Sequence, residues 1–379
     1  MMKEITFLPP PFMDNQTQIS IGRRKIIKNA AFFTLTSLCA PFVMASSRSS
    51  PKRILVRDAG GVINHAYKEV LYEPFFRETG IQVIGVPASA NPVAQIQEMV
   101  KSRQYLWDMA ALGEMAISML TIGAGDRCFL EKHELERDPV ISQIGAQFMS
   151  PYGVGTNVYS TVLAYRTDAF KKHQVPQTWK DLWDIKSFPG RRGLYKHPLD
   201  TTEVALMADG VTANNIYPCD LDRAFRSLDK IKRHINVWWT SGPQVEHLLK
   251  SGEIDLTPAW ISRAQTAINE GAPVAFSWDQ HIYQYDSWAI LKGAPNANAC
   301  REFIKFASDP KRQALLAAYA IGPTQQDAFN YIKPKQAMHL TSYPTNLEKG
   351  QHIDATYWLK NQNSVIQRFN EWMLDQAKA

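Results

Sequence analysis

The stretch "IYQYDSWAIL", residues 282–291, sets one carboxylate among residues that a sheet buries. Asp286 there costs several kcal/mol unless something positive or hydrogen-bonding meets it. The partner that suits a lone buried carboxylate is an ammonium group. Other side chains able to meet a small polar ligand stand just after predicted strands, where open α/β sheets bind their ligands. Gly60 and Gly61 follow "RILVRD", and fit either a close ligand approach or a tight turn. Glu114 follows "YLWDMAALG", and fits either a ligand contact or a solvated first turn favoured by the helix dipole. Asp200 and Glu203, in "HPLDTTEVALMADG", have the spacing of an acidic site and equally of an N-cap with its capping partner. Trp260 and Arg263, in "AWISRA", offer an indole face and a guanidinium, or simply a core ring and a solvated cation.

The usual catalytic patterns are missing. Nine histidines are scattered, with no His-Glu-x-x-His and no Cys/His set at zinc spacing. There is no Gly-x-Ser-x-Gly, no Walker loop and no Gly-x-Gly-x-x-Gly. These absences lower the expectation of an enzyme and imply no metal or cofactor.

The elements that would position these residues alternate. Residues 53–58 read as a strand, 63–80 as a helix stopped by Gly80, 81–86 as a strand, 91–103 as a helix and 105–112 as a strand. After about residue 160 the alternation resumes. Helices are predicted at 178–184, 220–235 and 240–253, the last with Ser241 as a cap, and strands at 192–196, 237–239, 254–260 and 273–278. From Ala297 the chain turns helical. The pattern predicts an α/β fold with mostly parallel sheets, in two lobes. Residues 46–160 and 287–379 would form lobe 1 and residues 161–286 lobe 2, with crossovers near 151–166 and near the Asp286 stretch.

Composition is that of an ordinary globular chain, with 45% hydrophobic and 21% charged residues. Half of the +6 formal charge lies in residues 1–45, and the remainder is too weak to argue for nucleic acid. Those residues read as an export signal. "GRRKIIK" precedes an uncharged run that is short for a membrane span and ends "VMASS", with Val43 and Ala45 suited to a cleavage site. Arg23, Arg24, Ile26, Ile27 and Lys28 fit a twin-arginine signal, although Gly22 replaces the usual Ser or Thr. An uncleaved membrane anchor is the other reading. Cys128, Cys219 and Cys300 would remain after cleavage, too few and too far apart for a disulfide framework, with one bridge left open.

With "FFRETGIQVIGV", "TWKDLWDIKSFPGRRGL", "SGEIDLTPAWISRAQ", "YDSWAILKGAPN" and "AIGPT", residues 53–375 resemble the periplasmic solute-binding proteins of ABC importers, in the spermidine/putrescine-binding branch. The resemblance implies a two-lobed periplasmic binding protein fold, non-catalytic and monomeric, that closes on a small amine and delivers it to an inner-membrane permease. It matches Asp286 to the main amine-binding aspartate, Asp200 and Glu203 to an acidic pair, Trp260 to an indole packed on ligand methylenes, and Ser241 to a cleft position. Two features depart from the polyamine binders. Gly60 and Gly61 stand where an acidic and aromatic pair is usual, and Gln284 stands where an indole is usual. Arg263 is an addition that suits a carboxylate. With Asp286 it would grip a zwitterion such as γ-aminobutyrate, or else it neutralises Glu203 or Asp200 internally. The rival readings are ferric-iron capture, which favours clustered tyrosines, and an enzyme on the same scaffold using Glu203 and Asp286 as acid and base.

Overall fold

Two long antiparallel strands run through the middle of the molecule and belong to both of its halves. The structure is a computed structural model that describes residues 52–87, 92–122, 127–171 and 174–374; the expected export signal lies outside the described residues. In the first half β1 (Arg53–Asp58) leads into α1 (Gly61–Tyr67) and α2 (Glu73–Thr79), joined by a π-helical turn at 68–72. Gly80 ends this run at φ 72°, a left-handed C-cap that costs glycine nothing. Then come β2 (Gln82–Pro87), α3 (Pro92–Ser102), β3 (Met109–Gly113), α4 (Glu114–Thr121) and the short β4 (Leu130–Glu131) and β5 (Met149–Ser150). β1 pairs in parallel with both β2 and β3, as the strand–helix alternation predicts.

β6 (Gly153–Arg166) carries the chain into the second half. There α5 (Trp179–Trp183), β7 (Arg192–Tyr195), α6 (Pro198–Ala208), α7 (Leu221–Ile231), β8 (Ile235–Trp239), α8 (Gly242–Ser251), β9 (Leu256–Trp260) and α9 (Ile261–Asn269) follow. β10 (Val274–Leu291) returns antiparallel to β6, and the strand order is β2-β1-β3-β10-β6-β9-β7-β8. The sequence reading divides β10 into two strands. It is one, with a register irregularity between Ser277 and Ile282 and with Gln280 at φ 62°.

The apolar side chains gather in separate cores on either side of this shared pair. Ile54, Val56, Leu71, Met109, Trp288 and Phe303 belong to the first. Leu163, Trp179, Leu206, Leu228 and Leu256 belong to a second, and Val162, Trp239, Val245 and Leu249 to a third on the other face. β6 changes core between Val158 and Val162, and β10 between Tyr285 and Ile282. After β10 the chain forms α10 (Ala297–Ala307), α11 (Pro310–Leu316), α12 (Pro334–Ala337) and α13 (Pro344–Leu347). β11 (Gln351–His352) then pairs with β10 at Ile282 and Tyr283 and leads into α14 (Ala355–Leu374). Trp358, Val365 and Phe369 of α14 pack into the second core. The C-terminal segment, assigned whole to lobe 1 from sequence, thus crosses back, because its aromatic face finds its apolar partners beside α6. Cys128, Cys219 and Cys300 are buried free thiols.

Candidate functional site

In a strand alternate residues share a face, so Asn157, Tyr159 and Thr161 form one polar stripe along β6. Each end of the stripe holds a carboxylate. Asn157 lies opposite Asp286 in register, and its Nδ2 donates to Asp286 Oδ2 at 3.5 Å. The amide is oriented by Tyr67, whose hydroxyl donates to Asn157 Oδ1 at 2.8 Å. At the other end Thr161 Oγ1 donates to Asp200 Oδ2 at 2.7 Å.

Both carboxylates are left short of positive charge. Burial pushes Asp286 up to about 6, although Asn157 and the Arg57 guanidinium pull it down. Burial likewise pushes Asp200 up to about 6 against the single hydroxyl of Thr161. Among the described residues neither forms an ion pair. Asp200 is 4% exposed, and its Oδ1 is buried without a hydrogen-bond partner. Its backbone sits at φ 70°, ψ −48°, a region that costs a non-glycine residue about 1–3 kcal/mol and that recurs at ligand sites. Tyr159, between them, is half-buried. Burial, and then the charges of Asp286, Asp200 and Glu114, hold its hydroxyl well above its ordinary pKa.

Next to Asp200 stands an aromatic wall. Trp260 lies opposite Thr161 in register and meets Tyr195 and Trp239 edge-on, each at 5.8 Å. Tyr195 stacks on Trp239 at 4.4 Å and on His197 at 5.6 Å. Trp260 remains partly exposed. Ser241 is exposed and caps α8, accepting from the Gln244 N–H at 3.4 Å. The following Gly242 lies against both Trp260 and Arg263. A Cβ there would come within 2.9 Å of the indole and 2.8 Å of Arg263 Nε, so only glycine allows this packing.

The remaining sequence candidates go elsewhere, each for a visible reason. Asp200 and Glu203 are no capping pair, because His197 caps α6, accepting from the Leu199 N–H, ahead of Pro198. Glu203 is fully buried behind the helix, where its Oε1 accepts from Tyr217 at 2.6 Å and Trp358 at 2.7 Å. Burial pushes it up to about 7. Arg263 has an internal partner, which is neither Asp200 nor Glu203 but Glu246 of α8, 3.3 Å away. Its Nε is buried without a hydrogen-bond partner. Glu114 turns to the C-terminal segment and meets His352 Nε2 at 2.7 Å, while His352 stacks on Tyr283 and Tyr285. Gly60 and Gly61 take φ 72° and 56° in the turn after β1. There the Gly60 N–H donates to Asp58, which also accepts from Asn64 and Tyr72.

Asp286, Asp200 and Trp260 therefore lie along β6, Gly242 packs against both Trp260 and Arg263 with Ser241 capping the same helix, and Glu203 lies behind α6. Sequence reasoning missed Asn157, Tyr159, Thr161, Glu246 and His352. The alternation of polar side chains at Asn157, Tyr159 and Thr161 along β6 was the signal for the first three. Among the described residues no cluster of His, Cys, Asp or Glu could hold a metal ion, and no helix is long and apolar enough to cross a membrane.

Two α/β halves joined by shared strands, with buried carboxylates and an aromatic wall beside those strands, define a two-lobed binding protein. The chain belongs to the bacterial extracellular solute-binding proteins, whose family model matches residues 72–342. It is 32% identical over 354 residues, 90% of this chain and 97% of that one, to a γ-aminobutyric acid-binding protein of Pseudomonas aeruginosa. An ABC transporter substrate-binding protein from Bradyrhizobium japonicum superposes with a TM-score of 0.78 at 36% identity, covering 85% of this chain and 99% of its own. A solved GABA receptor superposes at 0.74 with 31% identity, covering 85% and 97%. Proteins of this family bind small solutes and deliver them to ABC permeases; they are not enzymes, so the acid/base reading of Glu203 and Asp286 falls.

Proposed function

We propose that this protein is the exported, periplasmic receptor of an ABC importer for a small ω-amino acid of the γ-aminobutyrate type. The observation that carries the reading is the pair of desolvated carboxylates, Asp286 and Asp200, at the two ends of the β6 stripe, neither in an ion pair among the described residues. An ammonium group relieves that deficit. Trp260 supplies a face for the ligand's methylenes. Ser241, Gly242 and Arg263 adjoin Trp260, and the first turn of α8 with a guanidinium beside it suits the ligand's carboxylate. The likeness to a γ-aminobutyric acid-binding protein supports the same ligand class. Residues 1–45 would direct export by the twin-arginine route. Residues 46–160 with the chain just after β10 would form one lobe and residues 161–286 the other, α14 excepted, closing by a hinge in β6 and β10. A permease in the inner membrane would take the ligand.

One observation favours a polyamine instead: Arg263 already holds Glu246, and Asp200 would then take a second ammonium group. Isothermal titration of the mature protein with γ-aminobutyrate, 5-aminovalerate, putrescine and spermidine separates the two. The expected result is binding of ω-amino acids, weakened about tenfold or more by Arg263→Ala, the range for a charged hydrogen bond. Binding of polyamines alone, untouched by Arg263→Ala, would establish the second reading.

A further inference from the structure

Tyr159 occupies the centre of the stripe, yet its hydroxyl has no hydrogen-bond partner among the described residues. Facing it is Gly113, the register partner of Asp286 at the end of β3. Gly113 has φ −70° and ψ 161°, a conformation open to any residue. Crowding does not demand glycine either. A Cβ there would meet only Asp286 Oδ1 at 3.6 Å and Tyr159 Oη at 3.9 Å, both ordinary contacts. The missing side chain thus leaves a small gap in front of β3, rimmed by a carboxylate oxygen and a phenol oxygen that converge on one point.

We propose that Gly113, Asp286 and Tyr159 form a pocket for a primary ammonium group, and that Tyr159 makes the receptor selective for primary amines over N-methylated ones. This rests on the amine-receptor reading above and adds the headgroup it accepts. A primary ammonium has three N–H donors. Asp286 Oδ1 accepts one and Tyr159 Oη another. Burial and three neighbouring carboxylates keep the phenol protonated, so it donates its own proton while it accepts from the ligand. A trimethylammonium group has no N–H. It would desolvate both oxygens without pairing either, and a site built around hydrogen bonds rejects such an analogue strongly.

The test titrates γ-aminobutyrate and putrescine, each against its N-trimethyl analogue, into wild-type protein, Tyr159→Phe and Gly113→Ala. Wild type is expected to prefer whichever primary amine it binds by at least about tenfold over the methylated form. Tyr159→Phe should shrink that preference about tenfold, through weaker binding of the primary amine, with the melting temperature of the ligand-free protein unchanged. Gly113→Ala, whose methyl fills the gap, should weaken the primary amine by about tenfold or more. If Gly113→Ala does not fold, Tyr159→Phe decides alone. A Tyr159→Phe protein with wild-type preference overturns the proposal while leaving the receptor reading intact. A wild type that binds neither primary amine overturns both.

Discussion

Asp200 and Glu203 stand three residues apart in α6, both buried and both with carboxyls pushed up by burial, yet they belong to different regions of the molecule. Asp200 faces the crossing strand, takes one hydroxyl from Thr161, and sits on a backbone that disfavours it. Glu203 faces the second core, where Tyr217 and Trp358 converge on a single oxygen, Oε1, and Oε2 is buried without a partner. Burial and a raised pKa therefore do not by themselves mark a ligand site. What separates the two is the source of their partners. The donors to Glu203 come from the body of the second half and from the C-terminal helix, so it ties segments together. The donor to Asp200 comes from the polar stripe that also leads to Asp286.

The largest expected effect tests that division directly. Asp286→Asn should weaken an amine ligand by about 2–5 kcal/mol, the range for breaking a buried charge pair, and Asp200→Asn should do the same where the ligand carries a second ammonium group. Asparagine tolerates the positive φ at position 200, so the fold should survive. Glu203→Gln should leave affinity within ~0.5 kcal/mol, as a change remote from the ligand does. Calorimetric titration of the three variants checks this, and equal losses at all three positions would erase the distinction between the two faces of α6.

A second test reads stability. Glu203 is raised from about 4.5 to about 7, so its contribution to stability is full below its unfolded value and is lost as pH rises through 7. That loss amounts to about 3 kcal/mol at pH 8. Glu203→Gln removes the ionisation and should gain roughly that amount relative to wild type between pH 5 and pH 8 in urea unfolding. His281, buried and lowered to about 4, imposes the opposite slope, but equally on both proteins. A constant difference between variant and wild type across this window would mean that Glu203 does not titrate as a buried group.

Much of this was legible in the sequence, and the parts that were not share a cause. The strands of the first half and the stop at Gly80 follow from period, punctuation and length. Asp286 stood out because one carboxylate among aromatics is a local anomaly. The role of Glu203 was not legible, since its partner Trp358 lies 155 residues away and indole donors carry no sequence mark. Glu114 and His352, 238 residues apart, met for the same reason. Arg263 finds Glu246 across two helices whose relative rotation the sequence does not state. Tyr159 was hidden differently: a tyrosine in a buried strand reads as core, and only the polar residues sharing its face, at 157 and 161, distinguish it.

The smallest effect per step, and the one that counts the groups involved, is the pH dependence of binding. Asp286 and Asp200 lie near 6 in the free protein, and an ammonium ligand requires each carboxylate it touches to be ionised. Affinity should be flat above about pH 7 and fall below 6, because protons then compete with the ligand. Each participating carboxylate contributes up to tenfold per pH unit, about 1.4 kcal/mol. The ligand's own carboxyl and amine titrate near 4 and 10, outside the window. A limiting slope of one means that Asp286 acts alone, and it should vanish in Asp286→Asn. A slope of two brings Asp200 into contact with the ligand, the outcome expected if a diamine spans the stripe. A fall that begins near 7 instead would assign a proton to Glu203, and the two faces of α6 would have to be treated as one site.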